Sequence, residues 1–437
     1  GSHHINLALQ NSRLIVCLEY PMISINTYLI AYICIYLTSF AVYMAIEAIN
    51  LTYLKKFGQK VPVAFEGMID EKELQKISRY TEDNIRFKIV QTSISKIIFL
   101  YIILSGVLPW LAESLGRMNV IIAGLIFFGL IGLAEVLMGL PFDYYHSFVL
   151  EETYGFNTKT LKIWLSDLAK SMVVLIILGT FLLSTLLLMV TYAGQSWWIW
   201  AWIIFSVFQL MMTILYPTVI APLFNKFLWL EDSGLKEAIE RLAKTQGLTI
   251  EGIYQMDASR RTKHTNAYFS GMGKAKRIVL FDSLIRSHGQ DEILAILAHE
   301  IGHLKKNHIK KQFVLVSLVS LFLFFLASKL LTWEVMYHSF GFSNMPCYVG
   351  LFLVGILWEP VNFFMSPMGM AISRKFERQA DVYSLGILKT AKPLSTALKK
   401  MAKDNLSNLT PHPLYVCFNY SHPPLLERIE YLEAHEP

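Results

Sequence analysis

About seven blocks of apolar residues, each close to twenty long, limit this chain's fold more than any other feature. They run near Thr27–Ile46, Ile94–Leu111, Val120–Leu140, Met172–Val190, Trp197–Tyr216, Phe313–Leu331 and Cys347–Met365. A helix needs about 20 such residues to cross roughly 30 Å of hydrocarbon. A soluble core needs no such blocks. Composition agrees: hydrophobic residues make up 54% of the 437 and charged residues 16%, where a soluble domain is about a quarter charged. Trp110, Trp197, Trp198, Trp333 and Trp358 fall at or near block ends, as an interfacial belt would place them. The chain reads as a polytopic membrane protein.

The net charge of +6 is explained by topology rather than by nucleic acid. Lys55, Lys56, Lys60, Lys72, Lys76, Arg79, Arg86 and Lys88 follow the first block. Lys159, Lys162 and Lys170 follow the third, a dense run from Lys226 to Lys311 follows the fifth, and Arg374 and Lys375 follow the seventh. The even connections hold almost no positive charge. By the positive-inside rule the odd connections and the C-terminus are cytoplasmic and the N-terminus is outside. Of the cysteines, Cys17, Cys34, Cys347 and Cys417, none forms a CxxC pair, so neither a disulfide framework nor a cysteine-based metal site is expected. The opening Gly1-Ser2-His3-His4 resembles an expression scar, and no cleavable signal peptide is read.

Domain organisation follows. Residues 1–24 are tag remnant and extra-cytoplasmic segment, and 25–224 carry spans one to five with their loops. Residues 225–311 form the first part of a cytoplasmic domain, 312–372 carry spans six and seven, and 373–437 form the domain's second part. The first part reads as a helix at Ser233–Gln246, strands near Gly252–Met256 and Arg277–Phe281, and a helix from about Asp291. Both parts lie on one side of the membrane and can pack together.

Chemistry is concentrated in His299-Glu300-Ile301-Gly302-His303, an H-E-x-x-H in a helical pattern. Residues four apart share a helix face, so both imidazoles can reach one zinc ion while Glu300 stands beside it as proton acceptor for a bound water. Ile293, Leu294, Ile296 and Leu297 make this a buried helix, where unpartnered polar side chains are costly. A catalytic zinc needs a third protein ligand and an open position. Glu377 and Asp381 are also four apart on a predicted helix. Glu377 is read as the ligand and Asp381 as the acceptor that orients a ligand histidine. His308 is read as a non-ligand at the helix end, nearly opposite His299. His264 and His412 read as surface polar residues.

With these residues in view, the chain resembles the Ste24-type CAAX prenyl proteases, integral membrane zinc metallopeptidases. The resemblance rests on Leu140-Pro141-Phe142, Phe148-Val149-Leu150-Glu151-Glu152, Gly155-Phe156-Asn157 and Ile220-Ala221-Pro222-Leu223-Phe224-Asn225-Lys226-Phe227. It extends through Thr265-Asn266-Ala267-Tyr268, Arg277-Ile278-Val279-Leu280-Phe281-Asp282 and Tyr420-Ser421-His422-Pro423-Pro424. It covers the third span to near the C-terminus. The resemblance implies a mainly α fold with about seven transmembrane helices around a chamber. It also implies a cytoplasmic-side gluzincin-like protease domain with a small β-sheet, one Zn2+ per chain, and a polypeptide substrate, prenylated or membrane-inserted. It assigns Asn266, Ala267 and Tyr268 to an edge strand that pairs with substrate, His422 to oxyanion stabilisation and Arg428 to substrate binding beside it.

The second reading is a membrane quality-control protease with no prenyl requirement. A seven-span receptor or transporter with structural zinc is disfavoured, because such a site is usually closed by four protein ligands, mostly cysteine. A protease cutting within the bilayer is a further alternative. The depth of the motif helix stays open at this point: Lys305, Lys306, Lys310 and Lys311 set it at or just inside the cytoplasmic face, but it could reach into a wet chamber. The chain ends soon after Ser421-His422-Pro423-Pro424 without a lysine-rich retrieval tail, which favours a bacterial cytoplasmic membrane ahead of the ER membrane. Natural substrate, cleavage position and oligomeric state are not legible.

Overall fold

A computed structural model of the chain describes residues 25–270 and 276–436. The expected segment 1–24, with Cys17, lies outside them. Among the described residues 7 helices are long and apolar enough to cross a membrane: Thr27–Phe57, Glu71–Leu104, Val120–Tyr154, Leu161–Tyr192, Gly194–Phe224, His308–Leu330 and Cys347–Leu388. Each matches one expected block, and the protein is a multi-pass membrane protein.

The helices outrun their apolar blocks, because caps rather than hydropathy decide where a helix stops. The second begins at Glu71, far ahead of Ile94. There Asp70 Oδ1 accepts from Glu73 N at 2.7 Å and Glu73 Oε2 accepts from Asp70 N at 3.2 Å, a reciprocal capping box. The same block corrects the expectation at its other end. Ile94–Leu111 is not one helix: the chain breaks at Ser105–Gly106, where Gly106 has φ 77°, and resumes as a short helix at Val107–Leu115. Glycine supplies that left-handed turn without steric cost. The third helix passes through a π-turn at His146–Leu150 and ends at Gly155.

The seventh helix departs furthest from expectation. It is continuous over 42 residues, Cys347–Leu388, with Pro360 and Pro367 inside it. The expected division at 372/373 therefore falls within one helix, and span seven and the Glu377 segment are a single rod. Arg374 and Lys375 end the apolar stretch, not the helix.

One end of the span bundle is closed by an apolar cluster that includes Tyr36, Phe127, Leu187, Tyr337, Tyr348 and Leu353. At the other end the polar connections pack together. Phe65, Ile69, Leu74 and Ile77 from the first loop share a cluster with Leu394, Leu398, Ile429 and Leu432 from the tail. A four-stranded sheet lies beside this cluster, in the order β1 (Phe227–Trp229), β2 (Ile250–Met256), β4 (Lys276–Phe281), β3 (Ala267–Ser270). β2 and β4 are parallel, and both outer strands are antiparallel to their neighbours. β1 and β3 were not among the strands read from hydropathy. At three and four residues they are too short to carry a period-2 signal.

The motif helix, Gln290–Lys305, starts at Gly289, whose N–H donates to Glu292 Oε2 at 2.8 Å. Its Ile293, Ile296 and Leu297 pack with Leu280 of β4 and Ala267 of β3. Its opposite side meets the seventh helix at Gly302, where an added Cβ would stand 2.9 Å from Ala380 Cα. Two helices approach this closely only through small residues.

Candidate metal centre

The Gly302–Ala380 contact sets the site. Glu377 lies three residues before Ala380, on the side of the rod that faces the motif helix. The separations among three donors are nearly equal. His299 Nε2 and His303 Nε2 are 3.2 Å apart, His299 Nε2 is 3.2 Å from Glu377 Oε2, and His303 Nε2 is 3.3 Å from Glu377 Oε1. Donors about 2.0–2.2 Å from one zinc ion stand about 3.3–3.6 Å apart in a tetrahedron, and each imidazole nitrogen lies close to that distance from the other and from one of the two Glu377 oxygens, a spacing that fits zinc. The chemistry of the set agrees, because buried Glu377 Oε2 has no hydrogen-bond donor. A carboxylate oxygen left so is costly unless a cation satisfies it. Burial opposes a positive charge on His299, yet the Asp381 and Glu377 carboxylates beside it outweigh burial and lift its pKa to about 9. The pocket is built to hold positive charge. His299, His303 and Glu377 are the one such cluster among the described residues.

His299 is fixed from behind. Its Nδ1 lies 2.8 Å from Asp381 Oδ1, and Asp381 sits one turn past Glu377 on the same helix face. Arg428 closes the far side: its Nε donates to Asp381 Oδ2 at 2.9 Å and its Nη2 to Oδ1 at 2.7 Å. All three are buried, with His299 at 6%, Asp381 at 2% and Arg428 at 8% exposure. Arg428, expected beside substrate, borders the metal cavity, with its guanidinium engaged with Asp381. A bidentate arginine–carboxylate pair fixes orientation as well as charge, so Arg428 sits behind His299, in a row Arg428–Asp381–His299.

The reacting side opens into a cavity of about 480 Å³ bordered by Glu300, Asn266, Ala267, His422 and Tyr420. Burial pushes the Glu300 carboxyl above the ordinary range, while His299 and His303 pull it back. His422 Nε2 is 3.3 Å from Glu377 Oε1, and its Nδ1 is 2.9 Å from Ser421 Oγ. The His422 loop is tied down by Arg374, whose Nη1 donates to Val416 O at 3.0 Å and Tyr420 O at 2.8 Å.

β3 is the outer strand of the sheet on this side. Ala267 pairs with Leu280, and Phe281 N donates to Asn266 O at 3.0 Å. Successive strand residues face opposite ways. Asn266 and Ala267, at the start of the strand, border the metal cavity, while the Tyr268 hydroxyl lies 4.0 Å from Met256 Sδ. Of the expected strand trio, Tyr268 is not among the residues that border the cavity.

His308 is not at a helix end pointing away. Asn307 adopts φ 55°, the motif helix stops, and a new helix starts at His308. The kink turns the buried His308 ring back onto the site, with its Nδ1 3.0 Å from His303 Nδ1 and its Nε2 2.9 Å from Gln379 Oε1. His264 is partly buried, with Nδ1 3.1 Å from Asn405 Oδ1 and its ring stacked on Phe156. Sequence reading missed the roles of His308, Gln379 and Arg374. The available signal for the first was Asn307, since asparagine visits the left-handed region more readily than most residues.

Comparison with known proteins agrees with this geometry. Residues 50–226 match the family described as CAAX prenyl protease N-terminal, five membrane helices. Residues 230–436 match Peptidase family M48. The chain is similar to "CAAX prenyl protease 1 homolog" of Arabidopsis thaliana, at 33% identity over 86% of this chain and 91% of the relative. It is 34% identical to "CAAX prenyl protease 1" of Saccharomyces cerevisiae, over 87% of this chain and 90% of that one. It is 32% identical to the Homo sapiens homologue, over 86% and 89%. The fold is similar to the crystal structure of S. mikatae Ste24p, with TM-score 0.88, 30% identity and coverage of 94% of this chain and 100% of that one.

Proposed function

The chain belongs to peptidase family M48, in its Ste24-type CAAX prenyl protease branch, and from that premise we propose a zinc-dependent cut of prenylated polypeptides near their C-terminus. That it is a membrane metalloprotease with a polypeptide substrate follows from the family. The assignment of residues and of substrate is our reading.

His299, His303 and Glu377 hold the metal in this reading. Bound zinc supplies Lewis acidity, which brings the pKa of a coordinated water toward about 7. Glu300 is placed to take a proton from an attacking water and to return it to the leaving amine. Its raised affinity for protons suits a base that must later act as an acid. His422, on the open side of Glu377, donates to the developing oxyanion. Asp381 keeps the proton of His299 on Nδ1, so that Nε2 faces the site as a lone pair, and Arg428 keeps Asp381 ionised and oriented. A peptide laid along the free edge of β3 at Asn266–Ala267 gains backbone hydrogen bonds and is delivered to the cavity in extended form.

The observation that carries this reading is the convergence of His299 Nε2, His303 Nε2 and the Glu377 carboxylate, with the nitrogens 3.2 Å apart and each 3.2–3.3 Å from one carboxylate oxygen, beside an outer strand edge. The relatives' names support a prenylated substrate. Their eukaryotic sources support an internal membrane such as the ER ahead of a bacterial one, and the basic odd connections support a cytoplasmic protease domain. The deciding experiment compares cleavage of matched farnesylated and unmodified peptides by the purified protein and by Glu300→Gln, with zinc assayed in both. Cleavage lost in a zinc-loaded variant supports the base assignment, and a farnesylated peptide cut much faster supports the substrate class. Equal peptide rates would replace prenyl processing with quality control.

A further inference from the structure

Both metal histidines of an H-E-x-x-H helix need their outer nitrogen engaged, because that bond decides which tautomer the ring adopts. For His299 the partner is the Asp381 carboxylate. The outer nitrogen of His303 has no carboxylate partner. Its Nδ1 instead faces the imidazole of His308 at 3.0 Å, and the other nitrogen of His308 is 2.9 Å from Gln379 Oε1. We propose that His308 is a positioning residue that fixes His303 as a metal ligand, and that Gln379 sets the direction of the relay. The inference rests on the ligand reading above.

The logic runs from one end. Gln379 Oε1 can only accept, so His308 carries its proton on Nε2 and donates there. Its Nδ1 is then a lone pair, which only an N–H on His303 Nδ1 can satisfy. His303 is thereby left with a free lone pair on Nε2, the atom that faces Glu377 at 3.3 Å. Every member of the row is fixed by something else. The His308 ring lies parallel to Phe376 at 4.3 Å with 9° between planes. Phe376, Glu377 and Gln379 all stand on the seventh helix, so one turn of that helix supplies both a ligand and the support for another. On an unbroken helix His308 would lie about 140° around the axis from His303. The left-handed Asn307 is what returns it. The two histidines thus differ in kind: His299 leans on an anion and His303 on a neutral ring.

The test is zinc affinity by chelator competition in detergent, with the visible spectrum of the cobalt-loaded protein as second readout. His308→Phe keeps the stack on Phe376 and removes the acceptor. It is expected to weaken zinc about 10- to 100-fold, the usual cost of losing such a partner, and to shift the cobalt bands. His308→Asn carries an amide oxygen close to where Nδ1 stood and is expected to recover most of that affinity. Gln379→Leu leaves both histidines and is expected to weaken zinc as well, and it decides the matter if His308→Phe does not fold. Parental affinity and spectrum in His308→Phe, or in Gln379→Leu, overturn the inference. Equal weakening in the Phe and Asn variants does so too, since it reduces His308 to a packing role. Glu377→Ala separates this from the ligand reading: zinc lost there and retained in His308→Phe sinks only the relay, whereas zinc retained in both sinks the ligand set.

Discussion

One methyl group is enough to test how the site is assembled. A Cβ on Gly302 would stand 2.9 Å from Ala380 Cα, 3.1 Å from Ala380 O and 3.1 Å from Tyr383 Cβ. Carbon atoms in contact prefer about 3.5–4.0 Å, so Gly302→Ala must part the two helices by about 0.6–1 Å, and both nearest atoms are backbone that cannot swing aside. Metal sites tolerate displacements of about 0.2 Å. His299 and His303 ride on one of these helices and Glu377 on the other, so the parting widens the donor triangle itself. Stability hides the damage: overpacking costs about 1–3 kcal/mol, offset by about 1 kcal/mol from replacing glycine in a helix. The variant should fold and melt within a few degrees of the parent while zinc affinity drops at least about tenfold, on the scale of other disturbed supports. Gly386→Ala is the control, because a Cβ there meets nothing within 4 Å. Chelator competition and thermal melting at saturating zinc read both effects. Parental zinc affinity and full kcat/KM in Gly302→Ala would refute the claim that helix approach sets the ligand geometry.

Other outcomes follow from single side chains. Glu300→Gln should keep zinc and lose about 10³- to 10⁴-fold in kcat, near the upper range for a general base, in a single-turnover assay. Arg428→Leu leaves Asp381 buried and unpaired and should destabilise by about 3–5 kcal/mol, read by melting in detergent, while Arg428→Lys recovers only part because one ammonium cannot span both carboxylate oxygens. Burial works against charge on His264, but the hydrogen bonds its ring donates to Glu151 and Asn405 prevail and raise its pKa. The fold therefore favours the protonated ring, and that stabilisation is present below about pH 6.5 and fades as pH rises through the folded value. The gap in melting temperature between parent and His264→Gln should be wider at pH 6 than at pH 8.

What was legible in the sequence depended on whether the signal was local. His299, Glu300 and His303 declare themselves because four residues on a helix is a distance fixed by geometry. Glu377 and Asp381 could be picked by the same spacing, but the rod that carries them could not, since Arg374, Lys375 and Arg378 look like the end of a span. Hydropathy reports where lipid stops, and backbone hydrogen bonding continues past it. Ser105–Gly106 failed in the opposite direction: an apolar block ran on where the helix did not. Arg428 had no local signature, because its partner lies 47 positions away. β3 came only from resemblance, as four residues cannot establish a period.

With the proposed ligand set, the unbroken seventh helix makes the membrane part of the coordination chemistry. At about 1.5 Å per residue its 42 residues span about 63 Å, twice the hydrocarbon thickness of about 30 Å. Glu377 stands about 25 Å beyond Pro360 along the rod, so a swing of one degree about that proline displaces the carboxylate by about 0.4 Å, already past what a metal site accepts. The lever is held where the motif helix touches it, and by Arg374 and Asp381, which bind it to the C-terminal segment. Linkage makes the effect mutual: a bilayer that tilts the rod loosens the metal, and a bound metal resists the tilt.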